Sequence, residues 1–113
     1  MNDRFGLTPD ERELLRTILN STEEHIERVS VFGSRAQGRH RPHSDLDLVL
    51  YGSADEASCA HLITLFQESP LPFSVDIVNY SPNLHPSLRR HIDAVAQPLF
   101  VHTGERLEDA ELY

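Results

Sequence analysis

Apolar residues recur along the chain with two periods, and the switches between them mark out its elements. Leu14, Leu15, Ile18 and Leu19 form one stripe at helical spacing. Ahead of them Thr8-Pro9-Asp10-Glu11 reads as a helix start: threonine caps, proline occupies the first turn, and Glu11 reaches back to close a capping box. Asn20-Ser21 ends this helix, and residues 22–27 are polar with no assignable period. Over residues 28–32 the period becomes two, with Val29 and Val31 on one face, which predicts a strand. Gly33-Ser34 then turns the chain into a short helix around residues 35–38, and residues 40–44, punctuated by Pro42, read as a loop. Residues 45–51 form the second strand, with Leu46, Leu48 and Leu50 on one face and Asp45, Asp47 and Val49 on the other. Ser53-Ala54-Asp55-Glu56 reads as a second capping box, opening a helix that buries Leu62, Ile63, Leu65 and Phe66. Pro70 and Pro72 flank a turn, residues 73–78 form a third strand, and residues 86–96 the last clear helix. Residues 99–101 add a short edge strand after Pro98, ahead of a short tail.

Strands separated by helices predict an α/β (α+β) architecture: a small mixed sheet of three to four strands, with helices packed mainly on one face. The 113 residues are expected to make a single domain, 1–113. Hydrophobic residues at 39% and charged residues at 25% are ordinary for a soluble globular chain. The single cysteine, Cys59, forms no internal disulfide and reads as a small buried helix side chain rather than a nucleophile. No basic-then-apolar leader opens the chain and no apolar run approaches membrane-spanning length, so a cytoplasmic protein with no membrane contact is expected. Ten basic residues, all arginine, stand against eighteen acidic ones, for a net charge of −8. That balance argues against extended binding to a nucleic-acid backbone. It suits either a basic partner or carboxylates that hold metal.

The chemistry concentrates in Gly33-Ser34-Arg35-Ala36-Gln37-Gly38 and Ser44-Asp45-Leu46-Asp47. A strand that ends in Gly-Ser and enters a helix leaves backbone N–H groups free at a positive helix end, a cradle for phosphate. Glycine lets a phosphate approach closely and the Ser34 hydroxyl can donate to it. Asp45 and Asp47, two apart on a strand, project from the same face, where their repulsion is relieved by a divalent cation. Magnesium prefers oxygen ligands and binds one or two carboxylates together with substrate phosphates. Asp76 lies among Val75, Ile77 and Val78, a costly place for an acid unless it faces the same ion. Its plainer reading is an exposed strand residue. His40 and His43 suggest zinc, but they lie in a loop without a cysteine or acidic set to complete the ligands. Arg89-Arg90-His91 reads as a solvated helix face.

Residues 31–50 resemble the signature of the nucleotidyltransferase superfamily related to DNA polymerase beta, in which Gly-Ser, a ten-residue gap and Asp-x-Asp follow one another. The chain is most similar to the small prokaryotic branch, the minimal nucleotidyltransferases. The resemblance implies that Asp45 and Asp47 are paired ligands of two magnesium ions and that Asp76 is a third catalytic carboxylate and metal ligand. It implies that Gly33 and Ser34 hold the triphosphate, with Arg35 and Arg41 as basic residues beside it. Gln37 departs from the family, where arginine is frequent, and Arg39 is a nearby substitute. The implied activity is transfer of AMP from ATP to a hydroxyl. In this branch the acceptor is a tyrosine of a HEPN-type RNase toxin encoded by a neighbouring gene, which makes the chain an antitoxin acting by AMPylation. Two alternatives stand beside it: an antitoxin that neutralises its toxin by binding alone, and a transferase acting on a small molecule.

Overall fold

The computed structural model describes residues 2–22 and 25–112. Helix α1 (Pro9–Leu19) is followed by β1 (Ile26–Phe32), a one-turn helix α2 (Gly33–Ala36), β2 (Leu46–Gly52), α3 (Glu56–Gln67), β3 (Val75–Asn79), α4 (Pro86–Val95), β4 (Gln97–His102) and β5 (Leu107–Asp109). The Thr8 capping box forms as expected: its side chain accepts from the Glu11 N–H, and the Glu11 carboxylate accepts from the Thr8 N–H. The second cap differs from expectation. Asp55, not Ser53, caps α3 by accepting from the Ser58 N–H, while Ser53 is tied to the carbonyl of His25, the residue before β1. Part of the polar stretch at 22–27 joins β1, which begins at Ile26; Glu23 and Glu24 lie outside the described residues.

The sheet has five strands in the order β3-β2-β1-β4-β5, one more than the upper expectation. Strand β2 runs antiparallel to β1 and parallel to β3, with α3 as the crossover that a parallel pair requires. The expected edge strand at 99–101 is corrected. As β4 it lies inside the sheet, between β1 and β5. Pro98 is accommodated there because the β1–β4 register is irregular between Val29 and Ser30, where proline meets Ser30. Beyond it, β5 and the turn Ala110–Leu112 are folded back by charge. Arg12 on α1 binds Asp3, Asp109 and Glu111, and Arg16 binds Glu108, while Asn20 exchanges two hydrogen bonds with the Leu107 backbone.

The alternation along β2 divides the molecule into two layers. Leu46, Leu48 and Leu50 are fully buried against Leu15 and Leu19 of α1 and Cys59, Leu62 and Phe66 of α3. The opposite face carries a smaller cluster built from Phe32, Val49 and Ile92, covered by Leu88 and Val95 of α4 and by Tyr51 and Tyr80. These two tyrosine rings stack at 5.0 Å, and the Tyr80 hydroxyl donates to Asp93 at 2.8 Å, fastening the end of β3 to α4. Ile92 is 0% exposed and is the one fully buried anchor of α4. Ile92→Ala is therefore expected to cost about 2–4 kcal/mol, measured by urea denaturation.

Candidate active site

The face under α4 is also the face of the acids. β1 ends at Phe32, β2 opens on Leu46, and Phe32 pairs with Asp47 across the antiparallel ladder. On its other side Asp47 is the register partner of Asp76 in the parallel ladder. Phe32, Asp47 and Asp76 thus lie in one row across three strands, with Asp45 two residues before Asp47 at the mouth of β2. Asp45 and Asp76 are exposed, and Asp47 is half-buried. Burial holds the Asp47 carboxyl above its ordinary pKa, and the charges of Asp76 and Asp45 push the same way. The site is a cluster of three like charges with Asp47 at its centre.

Gly33 opens α2 with φ +72°, in the left-handed region that glycine tolerates. A Cβ at this position would lie 2.2 Å from Asp47 Oδ2, so the turn and the carboxylate are packed against each other. No side chain caps α2, and Gln97 of β4 closes its far end by donating to the Ala36 carbonyl at 2.9 Å. Ser34 is half-buried beside Gly33, and its carbonyl accepts from the N–H groups of Gln37 and Arg39. The sequence expectation placed this helix at 35–38; it begins two residues earlier. Gly33→Ala forces both a strained φ and displacement of the Asp47 carboxylate. A loss of about 1–2 kcal/mol in stability is expected, read by thermal melting.

Arg35, which the resemblance implies to be a basic residue beside the triphosphate, has its donors engaged by the protein itself. Its side chain is buried, with the residue only 1% exposed, and its donors are occupied by backbone carbonyls: Phe5 at 2.8 Å, Ser44 at 2.8 and 3.1 Å, and Pro42 at 3.4 Å. Its guanidinium also lies 4.5 Å from the Phe73 ring centroid. Arg35 is a brace that ties the loop before β2 to the N-terminal segment, held by carbonyl acceptors and the Phe73 ring. Arg41 is exposed, its backbone N–H bonds the Ser44 hydroxyl, and its side chain makes no ion pair among the described residues. Arg39 and Gln37 are hydrogen-bonded to each other at the surface. His43 reaches the Pro72 carbonyl at 3.3 Å, and neither it nor His40 joins a ligand cluster among the described residues.

One residue facing this site was read as part of a solvated surface. His91 of α4 lies edge-on to Phe32, with ring centroids 6.4 Å apart and planes at 79°, and its charge lowers the Asp47 pKa against the acids that raise it. A signal for it exists in the sequence. Leu88, His91, Ile92 and Val95 fall at i, i+3, i+4 and i+7, so the histidine lies within the inward stripe of α4.

As the side chains stand, no three acids or histidines among the described residues converge on one point tightly enough to hold a metal. The donor chemistry nevertheless fits a hard divalent cation: all oxygen, three carboxylates on adjoining positions, and a central Asp47 destabilised by its neighbours' charges.

The polymerase beta nucleotidyltransferase family model matches residues 13–103, which takes in the row of acids, the Gly-Ser turn and α4. The chain belongs to this family. Comparison with curated proteins gives no match. Among solved structures, this nucleotidyltransferase is similar to a toxin–antitoxin crystallised with AMP-PNP, at 18% identity and TM-score 0.65, covering 87% of this chain and 77% of the other. It is also similar to two substituted forms of the toxin–antitoxin MntA-HpeT. One is 18% identical with TM-score 0.63, covering 83% and 75% of the two chains, and the other 20% identical with TM-score 0.62, covering 88% and 76%. At these identities the likeness is one of fold, and it matches the expected small nucleotidyltransferase architecture.

Proposed function

We propose that this nucleotidyltransferase transfers AMP from ATP to a hydroxyl of a partner protein, and that it serves as the antitoxin of a toxin–antitoxin pair. The observation that carries the reading is the row in which Asp47 is register partner to Asp76 and abuts Gly33 of the Gly-Ser turn. Asp45, Asp47 and Asp76 would hold magnesium, which supplies charge neutralisation at the α-phosphate. Gly33 and Ser34 hold the triphosphate through backbone N–H groups and the Ser34 hydroxyl. Arg41, exposed on the loop before β2, would meet the phosphates from solution.

Asp76 lies on the edge strand β3 and is exposed, so an acceptor approaching from outside the sheet meets it first. Its carboxylate takes the proton as the acceptor oxygen bonds to the α-phosphorus; the bond from that phosphorus to the bridging oxygen breaks and pyrophosphate leaves. The acceptor we assign is a tyrosine of a HEPN-type RNase toxin from a neighbouring gene. That assignment rests on the family resemblance of the sequence and on the toxin–antitoxin character of the similar structures, one of them holding AMP-PNP. No helix among the described residues is long and apolar enough to cross a membrane, in keeping with a partner met in the cytoplasm.

The test is incubation with ATP, magnesium and the neighbouring gene product, followed by intact-mass spectrometry. The toxin is expected to gain mass in steps of one AMP on tyrosine and to lose RNase activity. An unmodified toxin overturns the reading. Inhibition that survives asparagine at both Asp45 and Asp47 replaces it with stoichiometric binding.

A further inference from the structure

Among the described residues, the opposing charge that acts on Asp47 comes from α4. Among the described residues His91 is the positive group whose charge acts on Asp47, while Arg35, the basic residue closest to the turn in sequence, is buried and engaged with carbonyls. Two contacts hold His91 at the site. Its ring stands edge-on against Phe32, the residue that pairs with Asp47 and immediately precedes Gly33, and α4 itself packs against α2. The residue is exposed and its ring nitrogens make no hydrogen bond among the described residues. An imidazole serving only to neutralise Asp47 would be expected to donate to that carboxylate; this one instead keeps both nitrogens open, on a helix that packs against α2.

We propose that His91 is a substrate-contacting residue, donating a ring N–H to the phosphate chain of the bound nucleoside triphosphate. The inference rests on the nucleotide-binding part of the proposed function. It assigns to α4 a share of phosphate recognition that the turn and the loop arginines would otherwise carry alone. Phe32 supplies the orientation by fixing the ring plane, and Ile92, buried one residue on, fixes the helix that presents it.

The test is the affinity of the full chain for AMP-PNP with magnesium, measured by calorimetry on the unaltered protein and on His91→Ala, His91→Gln and Arg90→Ala. Because His91 is exposed, His91→Ala should keep the parent melting temperature, while its affinity falls about ten-fold, as for loss of a charge-assisted hydrogen bond to phosphate. Glutamine, which keeps a side-chain N–H of similar reach, should recover at least half of that loss on a logarithmic scale. Arg90→Ala, exposed on the same helix, should bind within two-fold of the parent. His91→Ala binding within two-fold of the parent overturns the proposal, as does an equal loss in His91→Gln or in Arg90→Ala. Absence of binding by the unaltered protein overturns the nucleotide reading and this inference with it, whereas binding insensitive to His91 overturns only the latter.

Discussion

Asp47→Asn is expected to abolish nucleotidyl transfer while raising the melting temperature of the metal-free protein. The two effects have one origin. Asp47 is half-buried between two like charges, and its folded pKa lies above its ordinary value, mainly through burial and then through Asp76 and Asp45. A carboxyl whose folded pKa is raised binds its proton more tightly in the folded state than in the unfolded one. The ionised form therefore weakens the fold, fully so above the folded pKa, and the penalty fades as pH falls toward the unfolded value. Asparagine removes that penalty, so its advantage in melting temperature should be present at neutral pH with chelator and shrink as pH falls from the raised folded pKa to the ordinary aspartate value. Activity should fall on the order of 10³-fold, because the group proposed to hold metal beside the triphosphate is gone. Thermal melts at stepped pH, with EDTA and then with magnesium and ATP, read both effects. An asparagine variant less stable than the parent at neutral pH in chelator would show that Asp47 is held by favourable contacts rather than tolerated.

The second large effect is expected at Arg35. Arg35→Ala leaves the Phe5, Pro42 and Ser44 carbonyls without their donor and opens a void against Phe73. Removing such a buried multidentate donor should cost about 3–5 kcal/mol, a large part of the stability of a domain this size. The melting temperature should fall by roughly 15 °C or more. Arg35→Lys keeps the charge but not the planar fork, and should recover less than half of the loss. A direct phosphate ligand would behave in the opposite way: normal melting and a large loss of MgATP affinity. Measuring both quantities on one preparation, well below the melting point, separates brace from ligand.

Arg35 also shows where reading the sequence reaches its end. The acids were legible because a period of two is a rigid rule: once Leu46, Leu48 and Leu50 point inward, Asp47 must point the other way, and Asp76 follows on a strand of the same pattern. Two of the partners of Arg35, Phe5 and Phe73, lie thirty and thirty-eight positions away, and no local spacing announces them. β5 escaped for a similar reason. Leu107–Asp109 has one apolar residue, and its place is set by Arg12, Arg16 and Asn20 on α1 rather than by a hydrophobic run. The short edge strand expected after Pro98 is instead the interior strand β4, and the register irregularity at Ser30 lets proline sit within it. His91 carried a usable signal, the α4 stripe, which its two arginine neighbours obscured.

The Arg35 brace has a consequence for how this chain tolerates changes of length. Its guanidinium spans from α2 to the Ser44 carbonyl, nine positions on, immediately before the first aspartate. The sequence gap between the Gly-Ser turn and Asp45 is thereby measured by a side chain at one end. Residues 37–39 and 41–43 lie exposed between the two anchor points. An inserted or deleted residue there can be absorbed as a wider or tighter arc, so indels in this stretch should leave the acids in place. The same single-residue change at Ser44 would move Asp45 past its anchor, and one within β2 would turn Asp47 to the leucine face, so neither position has slack for a change of length.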